Sequence, residues 1–398
     1  MAQHKVLILG AGFGGFYTCQ KILKEINLDE AEVTLVNRND LFTFVPLLPE
    51  SVAKMAMEPA VTSKIEEFVD TRKVRLITAE VTAVDLKQQT VQTSAGELTY
   101  DYLVLALGSK VIYFGTEGAA ENCYVLKTFE DITKIRNAIT KNFETARNAT
   151  DEAEKQKWRR VAIIGAGPSG VELATKINEL NEHRPKDEQI AVSVIEKTEK
   201  ILPSFDVKSS QKASNILRKQ NIEIRTEASI ASIAPNTINF VDGSKLEAGI
   251  IVWTAGVGAN TPEITPEVQV DRAKRLMVDS KLRLLEFPNV FALGDIASCQ
   301  NKAQQVLPTL AQVAQKQSKV VSHNILASIK SQTLVDFDFT PKIMVVTLGK
   351  WRAIARMSNQ TYTGPLVWLA SLGVYMLRLP STQKKMIMLK QLILSRSD

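Results

Sequence analysis

The sequence predicts an α/β fold built on two dinucleotide-type βαβ units, and three observations carry that expectation. A strand, glycine turn, helix and strand open the chain, and the same order returns in its middle. Both glycine turns, "GAGFGG" (Gly10 to Gly15) and "GAGPSG" (Gly165 to Gly170), fall between an apolar run of strand length and an amphipathic run of helical spacing. That is the setting in which such a turn cradles a pyrophosphate. The size agrees, since 398 residues that are 45% hydrophobic and 23% charged suffice for two or three domains with cores of their own.

The elements follow in order. "HKVLILG" is a short apolar strand, and after the turn Phe16, Cys19, Ile22, Leu23 and Ile26 recur at helical spacing before the next strand, "AEVTLVNRND". A crossover of this kind is right-handed and makes the sheet parallel. "RRVAIIGAGPSGVELATKINEL" and "IAVSVIEKTEK" repeat the pattern, and this second unit begins near Trp158. Between the copies, "ITKNFETARNATDEAEKQKW" is polar, rich in helix formers and free of glycine and proline, so it is expected to be an exposed helical connector at a domain boundary. "YDYLVLALGSK" and "PNVFALGDIAS" read as strands ending in small-residue turns.

Each glycine has its own physical reason. Gly10 and Gly165 permit the tight turn, Gly12 and Gly167 let a pyrophosphate approach, and Gly15 and Gly170 let the helix pack close to the sheet. Phe13, Gly14, Pro168 and Ser169 complete the turns, and the helix N-termini offer N–H groups and partial positive charge to phosphates. At the end of the second strand of the second unit, Glu196 is expected to accept both hydroxyls of an adenosine ribose and to repel a 2′-phosphate, favouring NADH over NADPH, with Lys197 and Lys200 softening that preference. The equivalent position of the first unit is Asn37, beside Arg38, a neutral amide that can still bond a hydroxyl. The turns at Gly108 and at Gly294–Asp295 suit the same ligand; Asp295 either binds ribityl hydroxyls or is an N-cap.

Cys19, Cys123 and Cys299 are odd in number and form no CxxC pair, which argues against a disulfide framework or a zinc site and for a reducing compartment. No metal is expected. The N-terminal residues run straight into a strand with no secretory signal, so the protein is expected to be intracellular. A net charge of +6 suits anionic lipid or solubility alone, and no nucleic-acid partner is expected.

The order "GAGFGG", "LALGS", "GAGPSG", "WTAGV", "ALGDIAS" resembles the two-dinucleotide flavoproteins of the glutathione-reductase type. More narrowly, "FTFVPLLPES", "GVELA", "KILPSFD", "IVWTAGV" and "PTLAQVAQKQ" are similar to type II NADH dehydrogenases, the single-subunit NADH:quinone oxidoreductases. The resemblance implies an FAD domain interrupted by an inserted NADH domain: 1–115 and 276–330 for FAD, 116–157 the rest of the first part and the connector, 158–275 for NADH, and 331–398 a C-terminal membrane-associating or dimerisation region. It implies electron transfer from NADH through FAD to a membrane quinone without proton pumping, and a homodimer. It places Glu172 near the nicotinamide and flavin, Gly256 at the cofactor, Gln312 and Lys316 at the quinone, and Pro46 among the catalytic residues. Glu172 has the alternative of a first-turn acid on the helix dipole. Lys316 stands where the family has glutamine, as a cationic donor to quinone or as a solvated helix residue.

Disulfide reductases of this fold need a cysteine pair that this chain lacks. The alternatives are a sulfide:quinone oxidoreductase or another NAD(P)H-dependent flavoprotein acting in quinone biosynthesis; the sulfide enzymes use cysteines after the second glycine turn and in the C-terminal third, where this chain has only Cys299. A flavin-binding structural or signalling protein would need a blocked hydride site, which "GAGPSGVELA" does not suggest.

The C-terminal segment is expected to lie on the cytoplasmic face of a membrane, as a peripheral anchor on an anionic surface. "PLVWLASLGVYML" is too short to span, Trp368 and Tyr375 suit the headgroup level, and Arg378, Lys384, Lys385, Lys390 and Arg396 accompany the apolar Met386, Leu389 and Ile393. The alternative is that these helices pack in a dimer or against the FAD domain.

Overall fold

The computed structural model describes residues 3–27, 29–54, 57–357, 360–379 and 381–394. The chain divides into two compact units, Met1–Phe42 with Ser63–Val111 and Val257–Pro341, and Thr43–Thr62 with Ile112–Gly256 and Lys342–Asp398.

In the first unit, strand His4–Leu9 runs parallel between Ala31–Asn37 on one side and Tyr102–Leu105 on the other. Phe287–Ala292 extends the sheet parallel to Tyr102–Leu105, and Val74–Thr78 closes the far side beside Ala31–Asn37. Val6, Leu7, Ile8 and Leu9 are all buried, as a parallel strand covered on both faces must be. The helix Phe13–Glu25 buries Phe16, Cys19, Ile22 and Leu23, the predicted stripe, and packs on the helix Ala311–Ile329. Phe16 stacks on Phe42 with ring centroids 4.4 Å apart.

The second unit repeats this topology. Arg160–Ile164 lies parallel between Ala191–Ile195 and Ile250–Trp253, with Glu223–Arg225 and Tyr124–Val125 beyond. In both sheets the strand that leads into the glycine turn is therefore flanked by the next strand in sequence on one side and by a much later one on the other. That arrangement opens a crevice beyond the carboxyl ends of the strands, where sheets of this kind bind ligands.

The units part the chain differently from the sequence boundaries, for reasons of pairing and burial. Val257–Ala259 pairs antiparallel with Ser109–Val111, and Glu263–Thr265 lies parallel to Val81–Asp85, so the return to the first unit falls at Val257 and not at 275. The "FTFVPLLPES" stretch divides after Phe42: the helix Leu48–Ala53 is wholly buried and packs on the helices Pro168–Glu179 and Phe129–Asn148 of the second unit. The connector expected to be exposed is only partly so. Glu152–Arg159 buries nothing, but Phe129–Asn148 buries Phe129, Ile132, Ile135, Ile139 and Phe143 along one stripe and begins with a capping box between Thr128 and Asp131.

The C-terminal segment also packs within the second unit. Ile343–Thr347, Ala353–Met357 and Gln360–Thr363 form an antiparallel sheet, followed by the helices Pro365–Arg378 and Thr382–Leu394. Here the headgroup assignment of the aromatics is overturned. Trp368 is only 2% exposed, its ring 4.6 Å from that of Trp351, and the Tyr375 ring meets Phe44 edge-on at 6.5 Å. Lys384 is buried too. Arg396 lies outside the described residues, as does the side chain of Ile393. Among the described residues no helix is long and apolar enough to cross a membrane.

Candidate dinucleotide and electron-transfer sites

The two glycine turns coincide bond for bond. Gly10 N–H donates to Val36 O at 2.7 Å and Gly165 N–H to Ile195 O at 2.8 Å; Ala106 N–H donates to Leu9 O at 2.9 Å and Thr254 N–H to Ile164 O at 2.8 Å. Gly10 and Gly165 have φ of +95° and +100°, where a β-carbon is strained, and one would strike Ala106 or Ala255. A β-carbon at Gly15 or Gly170 would collide with the carbonyl oxygen of Gly10 or Gly165. Gly14 is packed as well, since a β-carbon on it would come within 3.1 Å of Leu293 Cγ.

Gly12 and Gly167 differ from all of these. A β-carbon on either would meet nothing within 4 Å, so no protein neighbour demands glycine there. Each is the N-cap of its helix, and neither helix has a side-chain cap, whereas Thr128, Asp151 and Asp206 cap the helices that follow them. The helix N-termini, including the N–H groups of Gly14 and Ser169, thus face a ligand without a side-chain cap, with Pro168 at a position where its missing N–H costs nothing. An open cradle at an uncapped helix N-terminus fits a dinucleotide pyrophosphate in each unit.

Beside each cradle one side chain latches the turn. Ala11 N–H donates to Asn37 Oδ1 at 2.9 Å, and Ala166 N–H donates to Glu196 Oε2 at 2.9 Å. Thr198 gives its N–H (2.9 Å) and hydroxyl (3.0 Å) to Glu196 Oε1, which fills that oxygen. Glu196 thereby keeps one lone pair on Oε2 that no protein donor fills, room for one further hydroxyl where two were expected. Asn37 turns its amide hydrogens to Asn39, O at 2.9 Å, and likewise keeps one acceptor site on Oδ1; Arg38 is exposed beside it.

The Gly294–Asp295 turn is a short 3₁₀ segment, Gly294–Ile296, whose N-cap is Leu293 without a side-chain bond. Asp295 is therefore not that cap; its Oδ2 accepts from the hydroxyl of Ser109 at 2.7 Å, just after Gly108, which turns at φ +71°. Gly294 N–H donates to Gln317 Oε1 at 2.8 Å. Gln317 lies on the buried face of its helix with Val313, Ala314 and Val321, while Gln312 is half-buried at the first turn. Lys316 is exposed, its Nζ 5.8 Å from the ring centroid of Phe339, a cation–π contact. Pro46 opens the 3₁₀ turn Val45–Leu47 and is half-buried.

Glu172 lies one turn inside Pro168–Glu179, which has no acid in its first turn, so the dipole explanation does not apply. Burial pushes its carboxyl up to about 7, and the charge of Glu50 adds to this against the hydrogen bonds from Thr347. Thr347 donates to Oε1 through its N–H at 2.9 Å and its hydroxyl at 3.2 Å, and Tyr375 is hydrogen-bonded to the same carboxyl. One turn on, Lys176 Nζ sits 2.9 Å from Glu50 Oε2 and 2.8 Å from Glu179 Oε1, all three buried. Burial opposes the charge on Lys176, but the two carboxylates outweigh it and hold the ammonium well above its ordinary value. No sequence reading singled out this cluster, nor Ser109, Thr198 or Thr347.

The three thiols are free, and burial raises Cys19 and Cys123 to about 12 and Cys299 to about 11. They are protonated at neutral pH and unsuited to disulfide exchange.

Two pyrophosphate cradles on one chain define a two-dinucleotide oxidoreductase, and residues 4–318 match the pyridine nucleotide-disulphide oxidoreductase family. The chain is 31% identical over 363 residues to the type II NADH:quinone oxidoreductase of Staphylococcus saprophyticus, covering 88% of this chain and 89% of the relative. It is 29% identical over 398 residues to the type II NADH:quinone oxidoreductase NdhA of Mycobacterium tuberculosis, covering 95% and 84%. The fold is that of NDH2 from Plasmodium falciparum in complex with NADH, with a TM-score of 0.88 over 99% of both chains at 20% identity. The sulfide:quinone oxidoreductase of Aquifex aeolicus is less similar, with a TM-score of 0.75 at 17% identity over 99% of this chain and 96% of the other. The chain belongs to the pyridine nucleotide-disulphide oxidoreductases and, within them, to the type II NADH:quinone oxidoreductases.

Proposed function

We propose that the protein oxidises NADH and passes the electrons by way of FAD to a quinone, without proton pumping. The observation that carries this reading is the pair of open cradles at Gly12 and Gly167, of which only the second has a carboxylate latch. A charged latch accepts from a ribose hydroxyl and also repels a competitor that carries an extra phosphate. NADPH is such a competitor for the second site, and FAD has no counterpart at the first.

In this reading Gly10 to Gly15, Asn37, Arg38, Gly108, Gly294 and Asp295 hold FAD, and Gly165 to Gly170, Glu196 and Gly256 hold NADH. When bound, FAD takes the hydride of NADH and gives the electrons to the quinone, chemistry that belongs to the cofactors. The chain orients and tunes. Gln317 pins the Gly294 turn, Asp295 bound to Ser109 offers an acceptor to ribityl hydroxyls, and Glu172 is a buried acid able to hold or release a proton near neutral pH. Gln312, at the half-buried first turn of its helix, is the quinone contact, and Lys316, exposed one turn further on against Phe339, is the second candidate donor to the quinone.

The protein acts on the cytoplasmic face of a membrane as a peripheral homodimer. Support for a lipid-facing surface is Leu366 at 81%, Leu369 at 43% and Met386 at 61% exposed, with Lys390 exposed nearby in sequence to meet anionic headgroups.

The test is purification without oxygen, an absorbance spectrum for flavin, and NADH oxidation assayed with a soluble quinone, with NADPH and sulfide in parallel. A yellow protein that reduces quinone with NADH supports the reading; quinone reduction driven by sulfide and not by NADH overturns it.

A further inference from the structure

Phe114 is an aromatic side chain that the core does not use. It is 69% exposed, and its backbone sits at φ +52°, a left-handed conformation unusual for a bulky residue. The segment around it is nonetheless fixed. Ile112 N–H donates to Gly256 O at 3.2 Å, the Trp253 indole N–H donates to Ile112 O at 3.0 Å, and the rings of Tyr113 and Trp253 lie 5.5 Å apart. The Phe114 ring rests on Gly256, where a β-carbon would come within 2.5 Å of its Cζ. A side chain at 256 would have to displace that ring, and the backbone itself does not demand glycine there, since Gly256 is not among the glycines with positive φ.

The place of this contact in the sheet gives it a direction. Glu196 stands at the end of Ala191–Ile195, the glycine turn at the end of the central strand Arg160–Ile164, and Gly256 just past Ile250–Trp253 on the other side. Thr254 ties this last loop to the turn, its hydroxyl 2.9 Å from the carbonyl oxygens of both Ile164 and Gly165. A dinucleotide with its ribose on Glu196 and its pyrophosphate on the turn extends its other half across the crevice toward Gly256 and Phe114.

We infer that Phe114 is the wall against which the nicotinamide half of NADH rests. The inference depends on the reading of Gly165 to Gly170 as the NADH turn. An exposed ring carried on a fixed backbone segment offers a flat face to a flat ligand, and an aromatic side chain loses few rotamers in the contact, which accounts for a strained backbone kept at the mouth of the crevice.

The test is calorimetric titration of the oxidised, FAD-loaded protein with NAD⁺ and, separately, with ADP-ribose, which lacks the nicotinamide. Phe114→Ala is expected to weaken NAD⁺ about tenfold and to leave ADP-ribose within about twofold, and Phe114→Tyr to restore NAD⁺. Phe114→Gly guards against a folding artefact: it suits the positive φ, so its thermal midpoint should not fall below wild type while NAD⁺ weakens as in Phe114→Ala. Unchanged NAD⁺ binding in Phe114→Ala, or an equal loss for both ligands, overturns the inference and leaves the NADH turn standing. Wild type that binds neither ligand overturns the turn assignment and the inference together.

Discussion

Thr347 gives both its N–H and its hydroxyl to a single oxygen of Glu172, Oε1, although 175 residues separate the two in sequence. These bonds favour the ionised form, yet burial prevails and the carboxyl titrates near 7, above its ordinary 4.5. The native state therefore binds more protons than the unfolded chain between those values. The stability this contributes is complete below about pH 4.5 and is lost as the pH rises through about 7, a difference on the order of 3 kcal/mol. Urea unfolding at pH 5.5 and pH 8 should show wild type losing stability on going up, and Glu172→Gln losing markedly less.

The same residue has a kinetic test. Glu172→Ala should slow flavin reduction by NADH or weaken NADH binding while FAD stays bound. Stopped-flow traces identical to wild type in rate and NADH dependence would show that Glu172 serves the fold alone.

The glycines divide into those the protein needs and those its ligands need. Gly15→Ala drives a β-carbon into the carbonyl oxygen of Gly10 and should cost about 2–3 kcal/mol or more. Gly12→Ala meets open space at φ −76° and should leave the thermal midpoint of the flavin-free protein unchanged or slightly raised, while flavin retention falls sharply. Gly170→Ala and Gly167→Ala should repeat the contrast in the second unit, with NADH affinity as the readout. A Gly12→Ala protein that purifies fully yellow would separate Gly12 from the pyrophosphate.

At the second cradle, Glu196→Gln retains an oxygen for Ala166 N–H but removes the charge that repels a 2′-phosphate. Combined with Lys197→Arg, it should raise the NADPH-to-NADH ratio of kcat/KM by about tenfold. Wild type that already prefers NADPH would refute the role given to Glu196.

What the sequence made legible follows from how local each feature is. The glycine turns could be read because their requirements, a positive φ at Gly10 and close packing at Gly15, belong to single residue types at fixed offsets. The Glu50–Lys176–Glu179 cluster and the Thr347–Glu172 bond could not, because Glu50 lies far in sequence from the Lys176–Glu179 pair, and Thr347 from Glu172, and only the fold brings them together. The connector was expected to be exposed because its average polarity conceals Ile139 and Phe143, which continue the buried stripe that begins at Phe129. Trp368 was misread because an amphipathic aromatic has the same composition at a headgroup as in a core, and Trp351, which it packs against, lies in an earlier turn of the chain.

That burial changes how the membrane proposal must be tested. Truncation before Gly364 would remove Trp368 and Met388, at 2% and 0% exposed, and the Tyr375–Glu172 bond with them, so loss of membrane binding would be confounded by loss of fold. The exposed Leu366 and Leu369 are one turn apart on Pro365–Arg378 and hold no core position. Replacing both with Gln removes the apolar contact and spares the packing. The double variant should keep its melting temperature and its NADH oxidation with a water-soluble acceptor, and should co-sediment less with anionic liposomes. High salt should release wild type only partly, because apolar burial survives when charges are screened, and should release the variant more completely. If the variant sediments as well as wild type at both salt concentrations, Leu366 and Leu369 do not contact lipid and the exposed face of this helix serves another purpose.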